Sequence, residues 1–221
     1  VDGIIVVSHD IFELFPGAEA RLAEAQALLP VVTVDWPDCK GPGVLIDLEN
    51  AGYLATRHLL EHGHKRVGLI TVAFSSANVL PVNAGYRRAL LEAGIQEDES
   101  LIASQMSYEL ESGKQAALKL LALGHPPTAI FAISDLLAIG AMQAIRLAGL
   151  RIPQDIALAG FNDIPLAGIV DPPLTTVSAR AGMESERSRK LWRRAPTSSR
   201  CGCRGGRPSL AAVPELPSRA R

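Results

Sequence analysis

Cysteine and aromatic residues are scarce in this sequence, which has three cysteines among 221 residues and only 5% aromatic side chains. Cys39 stands alone, while Cys201 and Cys203 lie too close together to form a zinc site without further ligands. The cysteines therefore provide no zinc framework. This usage of cysteine fits a reducing, cytoplasmic setting.

Long apolar runs and the common catalytic motifs are also absent. No apolar run approaches the roughly 18 residues that a membrane-spanning helix needs, and no signal segment opens the chain, so we expect neither membrane insertion nor secretion. GxSxG, GxGxxG, Walker and HExxH motifs are missing. His62 and His64 flank Gly63 at a predicted helix end, where a basic cap explains them better than a metal or a catalytic role. We expect no enzyme, no cofactor and no metal.

The small net charge of −1 hides an uneven distribution of charge along the chain. Residues 1–179 contain 11 Lys and Arg against 20 Asp and Glu, whereas residues 180–221 contain 11 against 3. The basic end is rich in Arg, Pro, Gly and Ser and has no periodic apolar segment. Its composition indicates either a disordered tail or translation in a wrong reading frame. A basic tail also suits nucleic acid, but GC-rich translation out of frame explains its arginines more simply.

Short apolar segments alternate with amphipathic ones along the first 177 residues. Segments 128–133 and 156–160 are predicted to be buried strands, joined by a helix that Ser134 caps and Gly149 ends. The rhythm predicts an α/β fold with a parallel sheet and right-handed crossovers. The other predicted strands cover 4–7, 31–34, 44–46, 67–72 and 101–104, and the other predicted helices cover 18–29, about 51–62, 85–94 and 112–123, with 73–83 as a loop.

Polar residues follow the predicted strands at the ends where parallel sheets bind ligands. Carboxylates accept hydrogen bonds from hydroxyls, amides both donate and accept, and an aromatic ring covers the apolar face of a sugar. Such residues fit a small-molecule cleft better than an active site, because no nucleophile and base pair is present. The candidates are Asp35, Ser76, Asn78, Tyr108, Ser134, Asp135, Asn162 and Asp163.

Several longer motifs occur in a fixed order: HLLEHGHKRVGLI, GYRRALLEAGI, PPTAIFAISDLLAIGAMQAIRLAGLRIPQDIALAGFNDIPLA and PPLTTV. In these motifs the chain resembles, from Val1 to about Val177, the effector-binding core of bacterial LacI/GalR-type transcription regulators. The resemblance implies a periplasmic-binding-protein-like fold, in which two doubly wound parallel-sheet subdomains enclose a cleft for a sugar-like effector. It also implies a helix-turn-helix head and a homodimer in the intact protein.

The resemblance divides the chain into three parts. Residues 1–46 correspond to a partial N-terminal subdomain, 47–177 to the C-terminal effector-binding subdomain, and 178–221 to an irregular basic tail where the family continues with a helix and strands. This mismatch favours translation of the tail out of frame. We expect the family's DNA-binding head to be absent from this chain, so that operator DNA would be bound only by a head outside it.

The resemblance also assigns site residues. Asp35 falls at the family's sugar-binding carboxylate, Asn78 in a ligand-contacting loop, Tyr108 at a position often aromatic, and Ser134 where Asn or Ser is frequent. Two positions depart from the family pattern. Val82 stands where an arginine is common, and Asn162 replaces a carboxylate. Without the bidentate anchor of that arginine, we expect a ligand less polar than a free sugar, or one that is not a sugar.

Two functions remain open at this point. The first is the ligand-sensing domain of a sugar-responsive regulator, which predicts a helix-turn-helix encoded upstream and no turnover of the ligand. The second is a stand-alone solute-binding protein of similar fold that serves a transporter, which predicts a secretion signal upstream.

Overall fold

The computed structural model describes residues 2–7, 17–35, 42–73 and 78–179, and within these ranges the chain forms two parallel sheets. The smaller sheet has the order β1–β2–β3. Helix α1 (Ala18–Leu28) lies between its first two strands in the sequence. The strands are β1 (Ile4–Val7), β2 (Val31–Val34) and β3 (Gly43–Val44).

The larger sheet has five parallel strands in the order β5–β4–β6–β7–β8. Its strands are β4 (Val67–Val72), β5 (Ile102–Gln105), β6 (Ala129–Ala132), β7 (Ala157–Asn162) and β8 (Thr175–Ser178). Its helices are α2 (Leu48–Glu61), α3 (Val79–Glu92), α4 (Leu110–Leu121) and α5 (Asp135–Leu147), with 3-10 turns at Glu99–Leu101 and Pro165–Gly168. Because β5 and β6 flank β4 on opposite sides, the winding direction reverses between β4 and β6, and the predicted α/β alternation is confirmed.

Two layers of helices cover the larger sheet. All residues of β4 and β6 are buried, which explains why their sequences are continuous apolar runs rather than alternating ones. Helices α2 and α3 pack on each other, as do α4 and α5. The first pair packs against β4, β6, β7 and β8, and the second pair packs against β4 to β7.

Within each pair, glycine lets the helices touch backbone to backbone. A Cβ on Gly85 of α3 would overlap the Glu49 carbonyl oxygen of α2, and a Cβ on Gly52 would overlap the Val82 carbonyl oxygen. The second pair repeats the arrangement, with Gly113 facing the Leu137 carbonyl and Gly140 facing the Leu110 carbonyl. The absence of a side chain at these positions sets the distance between the helices.

The segment 73–83, predicted as a loop, is helical from Val79 onward. Pro81 is the third residue of α3, where a backbone N–H has no partner within the helix, so the proline removes no hydrogen bond. Tyr86 in the same helix is fully buried, and its hydroxyl donates to the Val67 carbonyl at 2.8 Å. Burial raises the pKa of this hydroxyl far above its ordinary value. The proline-containing turn is therefore a regular helix start.

Two other predictions have different outcomes. The strand predicted at 44–46 covers Gly43–Val44 instead. The basic tail lies, from Arg180 onward, outside the described residues, and β8 ends at Ser178.

In the part of the chain that the structure describes, no helix is both long and apolar enough to cross a membrane.

Histidines gather at the amino edge of the larger sheet, where α2 ends and β4 begins. The predicted helix end is confirmed, with His62 as the C-cap. The His62 ring lies 4.3 Å from the His58 ring, and its Nδ1 is 2.7 Å from the His58 carbonyl oxygen. His64 Nδ1 is 3.0 Å from Thr128 Oγ1. Burial lowers the pKa of His58 and of His64, and His62 lowers both further.

Replacing Gly85 by alanine should strongly destabilise the protein. The new Cβ would overlap a backbone oxygen that no rotamer change can move, so the free energy of unfolding should fall by about 3 kcal/mol or more, although alanine is the better helix former by about 1 kcal/mol. Urea denaturation measures the change. Ala84→Ser also adds one heavy atom, but on the exposed face of α3, and should change stability by less than about 0.5 kcal/mol. Equal stability of the two variants would contradict the close contact between Gly85 and the Glu49 carbonyl oxygen.

Stability should decrease as the pH falls from 7 to 5. Unfolded histidines have a pKa of about 6.5, whereas those of folded His58 and His64 are lower, so the unfolded chain takes up protons first. The contribution of the two neutral imidazoles is complete above pH 6.5 and is lost as the pH falls towards the folded values. Urea denaturation of the protein and of the variant His58→Gln/His64→Gln at several pH values tests this. If the free energy of unfolding depended on pH as steeply in the variant as in the unmodified protein, this prediction would be wrong.

Candidate functional site

The predicted site residues lie mainly at the carboxyl edge of the larger sheet, meaning the edge where β4 to β7 end. Asp35 instead follows β2 of the smaller sheet, and Ser76 lies outside the described residues. Because this edge includes the point where the winding reverses, it is the place where open α/β sheets form their ligand crevice. The residues found there are Asn78, Tyr108, Ser134, Asp135, Asn162 and Asp163.

Ser134 joins β6 to α5 as the predicted N-cap. Its backbone is extended, and its Oγ accepts a hydrogen bond from the Leu137 N–H at 3.3 Å. Only 6% of the residue is exposed. The hydroxyl hydrogen is not used by this cap and can still be donated to a ligand.

Asp135, the first residue of α5, is buried to 1% exposure, and its two carboxylate oxygens have separate partners within the protein. Oδ1 accepts from the Thr176 hydroxyl at 2.6 Å, and Oδ2 accepts from the Ile164 N–H at 2.8 Å. Thr176 Oγ1 in turn accepts from the Asp163 N–H at 3.4 Å. The carboxylate therefore ties the start of α5 to the residues after β7 and to β8.

The surroundings of this carboxylate shift its pKa in both directions. Burial raises the pKa of Asp135 above its ordinary value, and the nearby Asp163 carboxylate adds to the rise, while hydrogen bonds from Thr176, Ile164 and Asp163 oppose it. Gly160 on β7 leaves room for the group, because a Cβ there would overlap Oδ1. The geometry gives Asp135 a supporting position behind the edge rather than on its surface.

Three candidate residues have positive φ angles: Asp35 at 58°, Asn162 at 114° and Asp163 at 61°. Among the described residues, they are the only positive-φ residues other than glycine. Side chains make this conformation unfavourable, by about 1–3 kcal/mol per residue, and such residues cluster at ligand sites. Asn162 is the last residue of β7 and Asp163 begins the connection that follows; both are exposed, and we call this pair of residues the Asn162–Asp163 turn. The turn thus presents an amide and a carboxylate to solvent.

The remaining candidates are more enclosed. Asn78 is the N-cap residue of α3 and is 9% exposed, and Tyr108 is half-buried and packs partly against the core. Val82, where the resemblance leads one to expect arginine, is 3% exposed inside the core between α2 and α3. This departure from the family pattern therefore affects helix packing as well as charge.

Thr176 is the functional residue that the sequence reasoning missed. It is 2% exposed and bridges two of the predicted site residues, Asp135 and Asp163. The available signal was the PPLTTV motif, in which a polar residue stands in a short buried strand. No group of three or more potential metal ligands occurs within residues 2–7, 17–35, 42–73 and 78–179.

Comparison with known families gives one clear match. The family model described as periplasmic binding protein-like domain matches residues 56–183, more than half of the chain. The matched segment includes β4 to β8 and therefore the whole carboxyl edge.

Two curated relatives are transcription regulators. The HTH-type transcriptional repressor PurR of Vibrio atlanticus is 37% identical over 180 residues, covering 80% of this chain and 52% of the relative. The HTH-type transcriptional regulator DegA of Bacillus subtilis is 38% identical over 221 residues, covering 98% of this chain and 62% of the relative. The chain thus spans between about half and three-fifths of the length of these relatives.

A solved structure supports the same relationship. The complex of the transcriptional regulator CelR with cellobiose aligns with a TM-score of 0.68 at 29% identity, covering 87% of this chain and 57% of that chain. The predicted fold class, α/β of the periplasmic-binding-protein-like type, is confirmed.

Proposed function

Because the chain belongs to the family of periplasmic binding protein-like domains, in the form that LacI/GalR-type regulators use to bind effectors, we propose that it is the ligand-sensing part of a transcription regulator. The observation that carries this proposal is the exposed, positive-φ turn Asn162–Asp163 at the carboxyl edge. A conformation that is unfavourable for side chains and held by buried hydrogen bonds is what a preformed binding site requires.

We propose a sugar-like, hydroxyl-bearing effector, bound without the bidentate anchor that an arginine in place of Val82 would supply. The related CelR structure contains cellobiose, and the side chains of the edge suit hydroxyl groups. Carboxylates of Asp163 and Asp35 would accept hydroxyl hydrogen bonds, and the Tyr108 ring would cover an apolar face of the ligand. Ser76, Asn78, Ser134 and Asn162 would add polar contacts, with Asp135 as support behind them.

The relatives are HTH-type regulators, and we place operator binding in the part of their length that this chain does not span. Effector binding would favour one arrangement of the two sheets, and thereby change DNA binding. We therefore propose a cytoplasmic location and a function without catalysis. The similarity to regulators favours this function over that of a stand-alone solute-binding protein.

We also propose that the boundary between the two subdomains falls at Asp47. The smaller sheet ends at Val44, and Asp47 caps α2 by accepting a hydrogen bond from the Asn50 N–H at 3.0 Å. Residues 1–46 and 47–177 would then move as separate bodies around the effector.

We also propose that the chain forms a homodimer. Leu136, Leu166 and Ile169 are exposed by 39%, 36% and 78%. They lie on two segments that the bond from the Ile164 N–H to Asp135 holds together. Exposed apolar residues on adjoining segments are typical of a surface that another copy covers.

Binding of cellobiose, lactose, glucose or galactose should raise the thermal unfolding temperature of the full chain. A ligand at 100 times its Kd adds about 2.7 kcal/mol of stability. Asn162→Ala should weaken the binding about tenfold, since a lost hydrogen bond is worth about 1–1.5 kcal/mol. Differential scanning fluorimetry and calorimetric titration measure both effects.

Gln154→Ala is the matched control for this experiment, because it removes an exposed amide from a turn between α5 and β7. Binding should be unchanged in this variant. Absence of any shift with all four sugars would refute a sugar-like effector, and equal losses in both variants would refute the site. Conversion of the sugar, followed by NMR, would instead indicate an enzyme.

Ile169→Glu should dissociate a dimer of the full chain, because it places a charge in the proposed contact. Sedimentation velocity at micromolar concentrations should show a dimer for the unmodified chain and at least tenfold weaker association for the variant. Leu28→Glu is the control, since Leu28 is 82% exposed on α1 beside the smaller sheet. A monomeric unmodified chain, or equal effects of the two variants, would count against this interface.

A further inference from the structure

The turn Asn162–Asp163 is connected to the interior by a short chain of hydrogen bonds. The Asp163 N–H donates to Thr176 Oγ1 at 3.4 Å, and the Thr176 hydroxyl donates to Asp135 Oδ1 at 2.6 Å. The Ile164 N–H donates directly to Asp135 Oδ2 at 2.8 Å. The two backbone N–H groups that follow Asn162 are thus bound, directly or through one hydroxyl, to a single carboxylate.

We propose that Asp135 is a positioning residue, which holds the Asn162–Asp163 turn in its positive-φ conformation through Thr176 and Ile164 before any effector arrives. The role of the turn in binding rests on the proposed function. The hydrogen bonds that connect Asp163 and Ile164 to Asp135, called the relay below, do not rest on the proposed function. They are formed entirely within the protein and can be tested without a ligand.

Burial and connectivity distinguish this relay from an ordinary helix cap. Asp135 and Thr176 are 1% and 2% exposed, so an effector at the surface has little access to either. The cap of α5 is already supplied by Ser134. The Asp135 oxygens instead bind residues 29 and 41 positions later in the chain, which a local capping role would not require.

A carboxylate is suited to this position because it only accepts hydrogen bonds. Two oxygens meet two donors, and a charged acceptor forms stronger bonds than a neutral one. Asparagine would offer one oxygen and one NH2 group, so either Ile164 or Thr176 would lose its acceptor. Gly160 completes the arrangement by leaving space beside Oδ1.

The relay predicts where the chain should loosen when one link is removed. Thr176→Val keeps the shape of the side chain but removes both bonds of the hydroxyl. Amide hydrogen exchange at Asp163, measured by NMR on the full chain without ligand, should become at least about tenfold faster relative to the amides of β4. The backbone coupling constants of Asn162 and Asp163, which depend on φ, should change as well. Asp135→Ala, which removes both acceptor oxygens, should speed exchange at Ile164 in the same way.

Two further variants separate positioning from general stability. Thr176→Ser restores a hydroxyl and should return exchange and couplings towards those of the unmodified chain. Thr56→Val removes another buried threonine hydroxyl, which donates to the Gly52 carbonyl at 2.8 Å within α2, and should leave the turn unchanged. If Thr176→Val affects Asp163 no more than Thr56→Val does, the inference is wrong. Failure of sugar binding would refute the proposed sugar-like effector and leave this result intact.

Discussion

Parallel pairing of β4 with β6 is the constraint on which the candidate site depends. Both strands are buried along their whole length and are paired from Val67–Ala129 to Ile70–Ala132. With β5 on one side and β7 on the other, four strands end at the same edge, and the winding reverses between β4 and β6. A crevice at this point follows from topology, before any particular side chain is considered.

The helices and the buried carboxylate then fix what lines the edge. Close contact of α4 and α5 at Gly113 and Gly140 sets the position of α5 and therefore of Ser134 and Asp135 at its start. Asp135 accepts hydrogen bonds from Ile164 and Thr176 and thereby connects the start of α5 to the residues after β7. Two of the three unfavourable φ angles of the described chain lie in that turn, so the site combines a rigid support with an exposed recognition surface.

Local sequence signals predicted the parts of the site that depend on near neighbours. Ser134 precedes an apolar helical pattern and was predicted as its cap, and the strand ends next to the polar residues were correct to within about two residues. The start of α3 was missed because the polar and small residues of 73–83 were taken as a sign of a loop, although the first turn of a helix tolerates the proline among them. Thr176 was missed for another reason. Its partners lie 13 and 41 residues away, and no spacing rule connects them.

The sequence by itself determined the α/β alternation, the polar residues at the strand ends and the family, because these follow from short-range periodicity and from motifs that persist in linear order. Only the tertiary structure decided that Asp135 faces inward while Asn162 and Asp163 face outward, although all three were equivalent as polar residues after a strand. Burial, the contact with Gly160 and the bonds to Thr176 and Ile164 make that distinction. They exist only once strands distant in sequence have paired.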